Sequence, residues 1–491
     1  MEYIRGTDRN QTIMLPDCVD DYVDENNSVR VIDAYVNSLD IAAMGFTRSQ
    51  LNNTGRPPYF PKDLLKLYLY GYMNRIRSSR RLEAESKRNL EVIWLLGKLS
   101  PDHKTIARFR QENSVALKNV FRDFVRLCVR LDLYGRELLA IDGSKFKACN
   151  SKDRAFTEKK LVARIERLDN KIEEYVQKLE HLDFEENRAE SDKTGEEIAR
   201  IIVGLSERKS DYEGYMQEIR ESGDTQIALT DPESRLMMSN GKMDVCYNIQ
   251  TAVDSKNKLI AEFDVGNNAQ DKNQLSPMAT KAKENLGVEK LAAVADAGYD
   301  GATDIANCLL NGVIPHVAGS NITICLPTDE THAAPSISQR NGRCVYLKDR
   351  NIAICPMGNF LYPGTYHKRK LVAMFYNTKV CAACPCKCTT YRYKRFEIIM
   401  PPSEFSKDYD DKYLSVKQIK VAADKDLVNQ RKCIVEHPFG TIKRTMDAGY
   451  MLTKGKQSVS GELALTFLAY NLKRAINILG VRGITAAVST C

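Results

Sequence analysis

Residues 136–148 read RELLAIDGSKFKA and residues 290–300 read KLAAVADAGYD. Each holds a short apolar run, LLAI or LAAVA, that ends on an aspartate: Asp142 ahead of Gly143, Asp296 ahead of Ala297, Gly298 and Tyr299. Short apolar runs bounded by turn residues read as strands buried on both faces. Asp-Gly favours a tight turn, so the first strand is expected to turn at Asp142, and an ordinary turn aspartate is the alternative to a functional one. Asp296 lies where its strand ends, and ligands of open α/β sheets gather outside the carboxyl ends of strands. That favours Asp296 over Asp300, the nearby competitor.

Working outward, VCYNIQTAV (245–253) and LIAEFDV (259–265) read as strands joined through DSKNK as a hairpin. QLSPMATKAKENLG (274–287) and GATDIANCLLNG (301–312) read as helices, and VIPHV (313–317) as a last strand. The order is three strands followed by helix, strand, helix, strand. It predicts an α/β fold with a mixed sheet flanked by helices, and it is the order of an RNase H-like core. In that core the first and fourth strands lie side by side at the centre, which would bring Asp142 next to Asp296.

Between the first two strands, Leu161, Ile165, Leu168, Ile172, Tyr175, Leu179 and Leu182 recur at heptad spacing. A second seam runs through Ile198, Ile201, Leu205, Tyr212 and Ile219, interrupted by Arg208. Two such seams predict an inserted antiparallel helical hairpin, with an intermolecular coiled coil as the alternative. The first 130 residues read as short helices. PKDLLKLYLYGYMNRI (61–76) is apolar on one side and is followed by Arg77, Arg80 and Arg81. Ser100 and Pro101 read as the N-cap and first residue of another helix. Basic residues on short helices suit a DNA-reading module, or the solvated face of a bundle. Residues 320–424, rich in cysteine, tyrosine and turn residues, break the alternation and read as a loop-rich, Cys-rich insertion. The expected organisation is a helical N-terminal DNA-binding domain at 1–130, core parts at 131–155, 223–319 and 425–491, the hairpin at 156–222 and the insertion at 320–424.

A net charge of +8, from 72 basic against 64 acidic residues, is compatible with a polyanionic partner without requiring one. No apolar run is long enough to span a membrane, and MEYIRGTDRN lacks a signal-peptide core, so a cytoplasmic protein is expected. Fourteen scattered cysteines in such a chain read as reduced thiols rather than a disulfide framework. Within CAACPCKC (381–388), Cys381 and Cys384 have the spacing of one half of a zinc site. Cys355, Cys381, Cys384 and Cys388 are the candidate ligands of a structural Zn²⁺, with Cys386 as alternate; the alternative is a set of reduced thiols in a turn-rich segment.

A third acid, Glu436, lies in RKCIVEHPFGTIKR (431–444). Two aspartates and a glutamate brought together by folding can hold a pair of divalent cations for in-line phosphoryl chemistry. Carboxylates so close repel one another, and a cation removes that cost. Lys443 follows Glu436 by about 700° of ideal helix rotation, which would place both on one face. Pro438 is poorly tolerated inside a helix, so the helix is expected to begin or kink near Glu436.

Taken together, IDGSKFKA (141–148), GKMDVCYNIQTAVD (241–254), NNAQDKNQL (267–275), VADAGYDG (294–301), VEHPFGTIKR (435–444) and FLAYNLKRAINILG (467–480) carry a resemblance. Over nearly its whole length the chain resembles DDE transposases of bacterial insertion sequences. The resemblance implies a catalytic triad of Asp142, Asp296 and Glu436 holding Mg²⁺ (or Mn²⁺), with Lys443 as the lysine of the Glu-x6-Lys signature. It implies hydrolysis at the element's ends and attack of the freed 3′-hydroxyl on target DNA. It further implies double-stranded DNA as partner, end recognition by the helical N-terminal region, an insertion between the second aspartate and the glutamate, and a homo-oligomer on DNA. Arg431, Lys432, Lys443 and Arg444 are the candidate DNA contacts in this segment. One departure is visible: Lys432 stands at the spacing of the signature's arginine, Arg431 is one residue further away, and Asn429 replaces its tyrosine. Two other readings remain open on the residues alone, a non-catalytic DNA-binding or assembly protein with a structural zinc segment, and a simple metal-dependent nuclease.

Overall fold

Six strands build the central sheet: β1 (Leu138–Lys147), β2 (Arg235–Ser239), β3 (Lys242–Asp254), β4 (Ile260–Gly266), β5 (Leu291–Ala295) and β6 (Val313–Val317). They belong to a computed structural model that describes residues 18–49, 57–182, 188–239, 241–328, 336–338, 344–385, 389, 391–412 and 414–489. β3 pairs antiparallel with β1, β2 and β4, while β1–β5 and β5–β6 are parallel. The sheet is therefore mixed, in the order β4–β3–β1–β5–β6, with β2 beside the start of β3. The first and fourth strands of the sequence reading do lie side by side. The apolar runs account for this, because Leu139, Ala140, Ile141, Ala293, Val294 and Ala295 are fully buried.

The turn expected at Asp142 does not occur. β1 continues through Asp142 and Gly143 to Lys147, because β3 offers an unbroken ladder from Leu139↔Asp254 to Lys147↔Cys246. Tertiary pairing overrides the local preference of Asp-Gly. Helix Leu275–Leu286 connects β4 to β5 and ends on Gly287 with φ 65°, a left-handed cap that glycine adopts without Cβ strain. Helix Ala302–Leu310 connects β5 to β6.

The hairpin is formed by helices Glu158–Leu182 and Arg188–Ser222. Its antiparallel register is set by Arg220–Glu158 at 3.1 Å, Arg164–Tyr212 at 2.9 Å and Lys209–Asp169 at 2.6 Å. The second seam runs one residue out of phase from the sequence reading in its middle: Ile202 and Lys209 face inward, while Ile201 and Arg208 are exposed. Lys209 is tolerated there because its stem lies along the seam and its ammonium reaches Asp169. The side chain of Leu182 falls outside the described residues.

The N-terminal part contains helices Ser28–Ser38, Pro61–Met73, Ser79–Arg88, Leu90–Leu95, His103–Glu112 and Ser114–Arg130. Asp102, rather than Ser100, caps His103–Glu112: its carboxylate accepts the N–H groups of Lys104 and Thr105 at 2.9 and 3.0 Å. A charged cap at a helix N-terminus also meets the positive end of the helix dipole. The closing helix, Lys456–Ser489, breaks at Gly480 and packs on Ser114–Arg130, Ser28–Ser38 and Pro61–Met73 as well as β4. Buried Glu262 on β4 accepts Arg122 at 3.0 Å, a second tie between the helical layer and the sheet.

Residues 321–422 leave and return through a two-stranded ribbon, Asn321–Pro327 against Val416–Ala422. Between them lies an antiparallel six-stranded sheet in sequence order, not the loop-rich segment the sequence suggested. RFEII (395–399) alternates inward and outward, VAMFY (372–376) buries its three central residues, and Tyr346, Leu361, Phe375, Phe396 and Met400 form a separate small core. No helix among the described residues is long and apolar enough to cross a membrane.

Candidate catalytic site

The parallel register Leu138↔Ala292, Leu139↔Ala293, Ala140↔Val294 explains how two distant aspartates become neighbours. β5 ends at Ala295, so Asp296 leaves the strand just past these pairs, near enough to Asp142 for its charge to be felt there. Asp296 then caps a single 3-10 turn, its Oδ1 accepting the Gly298 N–H at 2.8 Å. Asp300 at the end of that turn is exposed. Burial pushes the Asp142 carboxyl up to about 6; nearby Arg431 opposes the rise, and Asp296 and Asp271 add to it. Arg431 Nη1 stands 3.4 Å from Asp142 Oδ1, with the two side chains 14% and 23% exposed. An arginine therefore supplies the positive charge beside the half-buried carboxylate.

Glu436 lies on helix Lys425–Gly440, the same helix that supplies Arg431. That helix starts at Lys425 under an Asp424 cap instead of beginning near Glu436, and it carries Pro438 in its last turn. A wider π-type turn follows at Thr441–Thr445 and shifts the helical phase. Glu436 is exposed, while Lys443 is partly buried and reaches β1. Lys443 Nζ donates to Ser144 Oγ at 2.6 Å and to the Lys145 carbonyl at 2.8 Å, and lies 4.5 Å from the centre of the Phe146 ring. Burial pulls its ammonium down to about 8. Among the described residues no hydrogen bond or ion pair links Glu436 to either aspartate, and no three His, Cys, Asp or Glu side chains stand close enough to hold a metal ion.

Sequence reasoning missed the polar layer on the other side of β1. Asp271 Oδ1 accepts Asn248 Nδ2 and Gln250 Nε2, both at 2.7 Å, and lies 3.6 Å from Lys145 Nζ. Tyr299 in turn donates its hydroxyl to Gln250 Oε1. Asp271 sat inside a quoted motif, NNAQDKNQL, but in so polar a stretch it looked like any solvated loop residue. Gly143 makes room for this layer. A Cβ there would collide with Gln250 Nε2 and Asp271 Oδ1 and lie 3.0 Å from Asn248 Oδ1. Gly143→Ala is therefore expected to cost about 1–3 kcal/mol, the range for overpacking a well-filled site. Urea unfolding would check this; an unchanged midpoint would mean that the layer yields freely.

Of the basic candidates, Arg80, Arg81, Lys432 and Arg444 are exposed. Arg77 is not available to DNA: it is 5% exposed, pairs with Glu462 at 2.6 Å and donates to the Asp447 and Tyr450 carbonyls. In the cysteine segment, Cys355 is buried and accepts the Asn359 N–H at 3.4 Å, while Cys381 and Cys384 are half-buried on a short helix and its cap. Cys386 and Cys388 lie outside the described residues, and the described cysteines form no zinc site.

The class of protein that the fold defines is a mixed sheet flanked by helices, with Asp142 and Asp296 near one another at its central parallel strands. Comparison with known families agrees: residues 133–472 match the family described as Transposase DDE domain, and residues 17–112 match Transposase domain (DUF772). The chain belongs to the DDE transposase family. No curated protein and no solved structure matches it significantly.

Proposed function

We propose that this transposase cuts DNA at the ends of an insertion sequence and joins the freed 3′-hydroxyl to target DNA, with Asp142, Asp296 and Glu436 as its catalytic carboxylates. The observation that carries the reading is that Asp142, inside β1, and Asp296, just past the end of the adjacent parallel strand β5, lie near enough for the Asp296 charge to add to the burial that pushes the Asp142 carboxyl up to about 6. The strand order β4–β3–β1–β5–β6 supports an RNase H-like core. The donor set is all hard oxygen, which suits Mg²⁺ or Mn²⁺. Asp142 and Asp296 would hold the cation, and Glu436, from the helix whose Arg431 already touches Asp142, is the third proposed ligand. Bound there, a pair of such cations supplies an activated water and charge stabilisation for an in-line displacement at phosphorus. The chain contributes positioning and electrostatics. Asp142 orients its oxygens from strand β1 and Asp296 from the turn that follows β5, and Lys443 is held by Ser144 with one N–H left for a phosphate oxygen.

Exposed Arg80, Arg81, Lys432 and Arg444 are the proposed phosphate contacts, and the helical N-terminal region the reader of the element's terminal inverted repeats. Action on paired ends implies a homo-oligomer on DNA. The test uses duplexes carrying those repeats, with and without Mg²⁺. Cleavage followed by joined product supports the reading. Cleavage with no joined product would indicate a simple nuclease, and binding without cleavage a non-catalytic DNA protein. Binding should weaken with salt at a log–log slope near −0.9 per phosphate contact; a flat response would argue against the proposed contacts.

A further inference from the structure

Asp271 makes an unusual set of bonds for a loop residue just ahead of a helix. One of its oxygens takes both amide donors, Asn248 Nδ2 and Gln250 Nε2, with Lys145 nearby. The other oxygen accepts no hydrogen bond among the described residues. It lies 3.9 Å from where a Gly298 Cβ would stand, a point only 2.9 Å from Asp296 Oδ1. The Asp271 and Asp296 carboxylates thus both border Gly298.

The chemistry of the acceptor dictates the rest of the chain of bonds. A carboxylate only accepts, so the Gln250 amide must turn its NH₂ toward Asp271. That leaves the Gln250 carbonyl for Tyr299, whose hydroxyl must then be the donor. Tyr299 is fully buried in the turn that Asp296 caps. Burial, together with the Asp271, Asp142 and Asp296 charges, raises its phenol further from ionisation, so the donor role is kept at any working pH. A neutral amide at position 271 could donate to Gln250 Oε1 instead, flip the glutamine and remove the acceptor that Tyr299 needs. Asn248 adds a second mark of a built site: it is 2% exposed, yet its Oδ1 has no partner among the described residues and faces the space above Gly143.

We propose that Asp271 is a positioning residue for Asp296: through Gln250 and Tyr299 it fixes the turn that presents the Asp296 carboxylate to a divalent cation. This rests on the reading of Asp142 and Asp296 as cation ligands. Partners that orient metal ligands cost about 10–100-fold in metal affinity or activity when removed.

The experiment measures Mn²⁺ binding to the full chain by electron paramagnetic resonance, alongside thermal unfolding and DNA cleavage. The variants are Asp142→Asn, Asp271→Asn, Tyr299→Phe and the double variant Asp271→Asn/Tyr299→Phe. Asp271→Asn is expected to weaken Mn²⁺ binding about 10–100-fold and lower kcat with little change in KM for DNA. Tyr299→Phe should act in the same direction, and the double variant should be no worse than Asp271→Asn, because both changes break one relay. Mn²⁺ affinity left unchanged by Asp271→Asn and Tyr299→Phe, but lost in Asp142→Asn, would overturn the relay and leave the cation reading standing. Additive losses would also overturn it, since independent packing effects add. No Mn²⁺ binding by the unaltered chain would overturn both. Should Asp271→Asn fail to fold, Tyr299→Phe alone decides: unaltered Mn²⁺ affinity in that variant rejects the relay.

Discussion

Asp142→Asn is expected to yield a chain that is more stable than the original and inactive. Burial holds the Asp142 carboxyl at about 6 against an ordinary 3.8, despite Arg431. The folded chain therefore keeps a proton there that the unfolded chain has released. Stability is greatest below the unfolded value and falls as pH rises from about 4 to about 6; by pH 7 the charge costs about 3 kcal/mol. Asparagine carries no charge, so without metal at pH 7 the variant should gain about 2–3 kcal/mol, and the gain should vanish near pH 3. Mg²⁺ should raise the melting temperature of the original chain and leave the variant unmoved, because only a binder of the folded state stabilises it. Cleavage should fall by on the order of 10³-fold or more, as for other losses of charge-stabilising groups. Unfolding at pH 3 and pH 7, with and without Mg²⁺, checks the stability half. A variant less stable at both pH values would make Asp142 a structural residue.

The second large effect concerns residues outside that site. Glu462 is fully buried on the closing helix and accepts the Leu452 and Thr453 N–H groups at 3.0 Å, the Thr453 hydroxyl at 2.7 Å and Arg77 at 2.6 Å. Arg77 lies over the Tyr450 ring at 4.7 Å and fastens the N-terminal helices to the C-terminal one. Removing one partner of a buried pair leaves the other charge stranded, at a cost of about 3–5 kcal/mol. Glu462→Ala should lose about that much in denaturant unfolding. Arg77→Ala should be comparably damaging to stability while leaving DNA affinity of the folded fraction unchanged. Weaker DNA binding with undiminished stability would restore Arg77 to the surface role its sequence neighbours suggested.

Much of the sheet was legible because its causes are local. LLAI and LAAVA are apolar throughout, so they read as buried strands, and the element order then placed them side by side. The hairpin was legible for the same reason, since its seams repeat over many turns. Asp142 misled as a turn residue because its extended conformation comes from β3, more than a hundred residues away. The strands within 321–422 were hidden because several are only three to five residues long and are buried through most of their length instead of alternating. At the site, Asp296 could be picked out by its position at a strand end, and Asp142 by the apolar run ahead of it, although β1 runs on past it. Asp271 could not, because its importance arises from Asn248, Gln250 and Tyr299, which only the fold assembles around it. The relation of Glu436 to Lys443 was also out of reach, because the spacing argument assumed one regular helix and a π-type turn lies at Thr441–Thr445.

The most direct test is the anomalous scattering of Mn²⁺ in crystals of the full chain bound to DNA carrying the element's ends. The account predicts a manganese peak ligated by Asp142 and Asp296, with Glu436 as a further ligand and Arg431 displaced from Asp142. A complex that cuts its DNA while its manganese lies elsewhere, or while Glu436 stays turned to solvent, would contradict it.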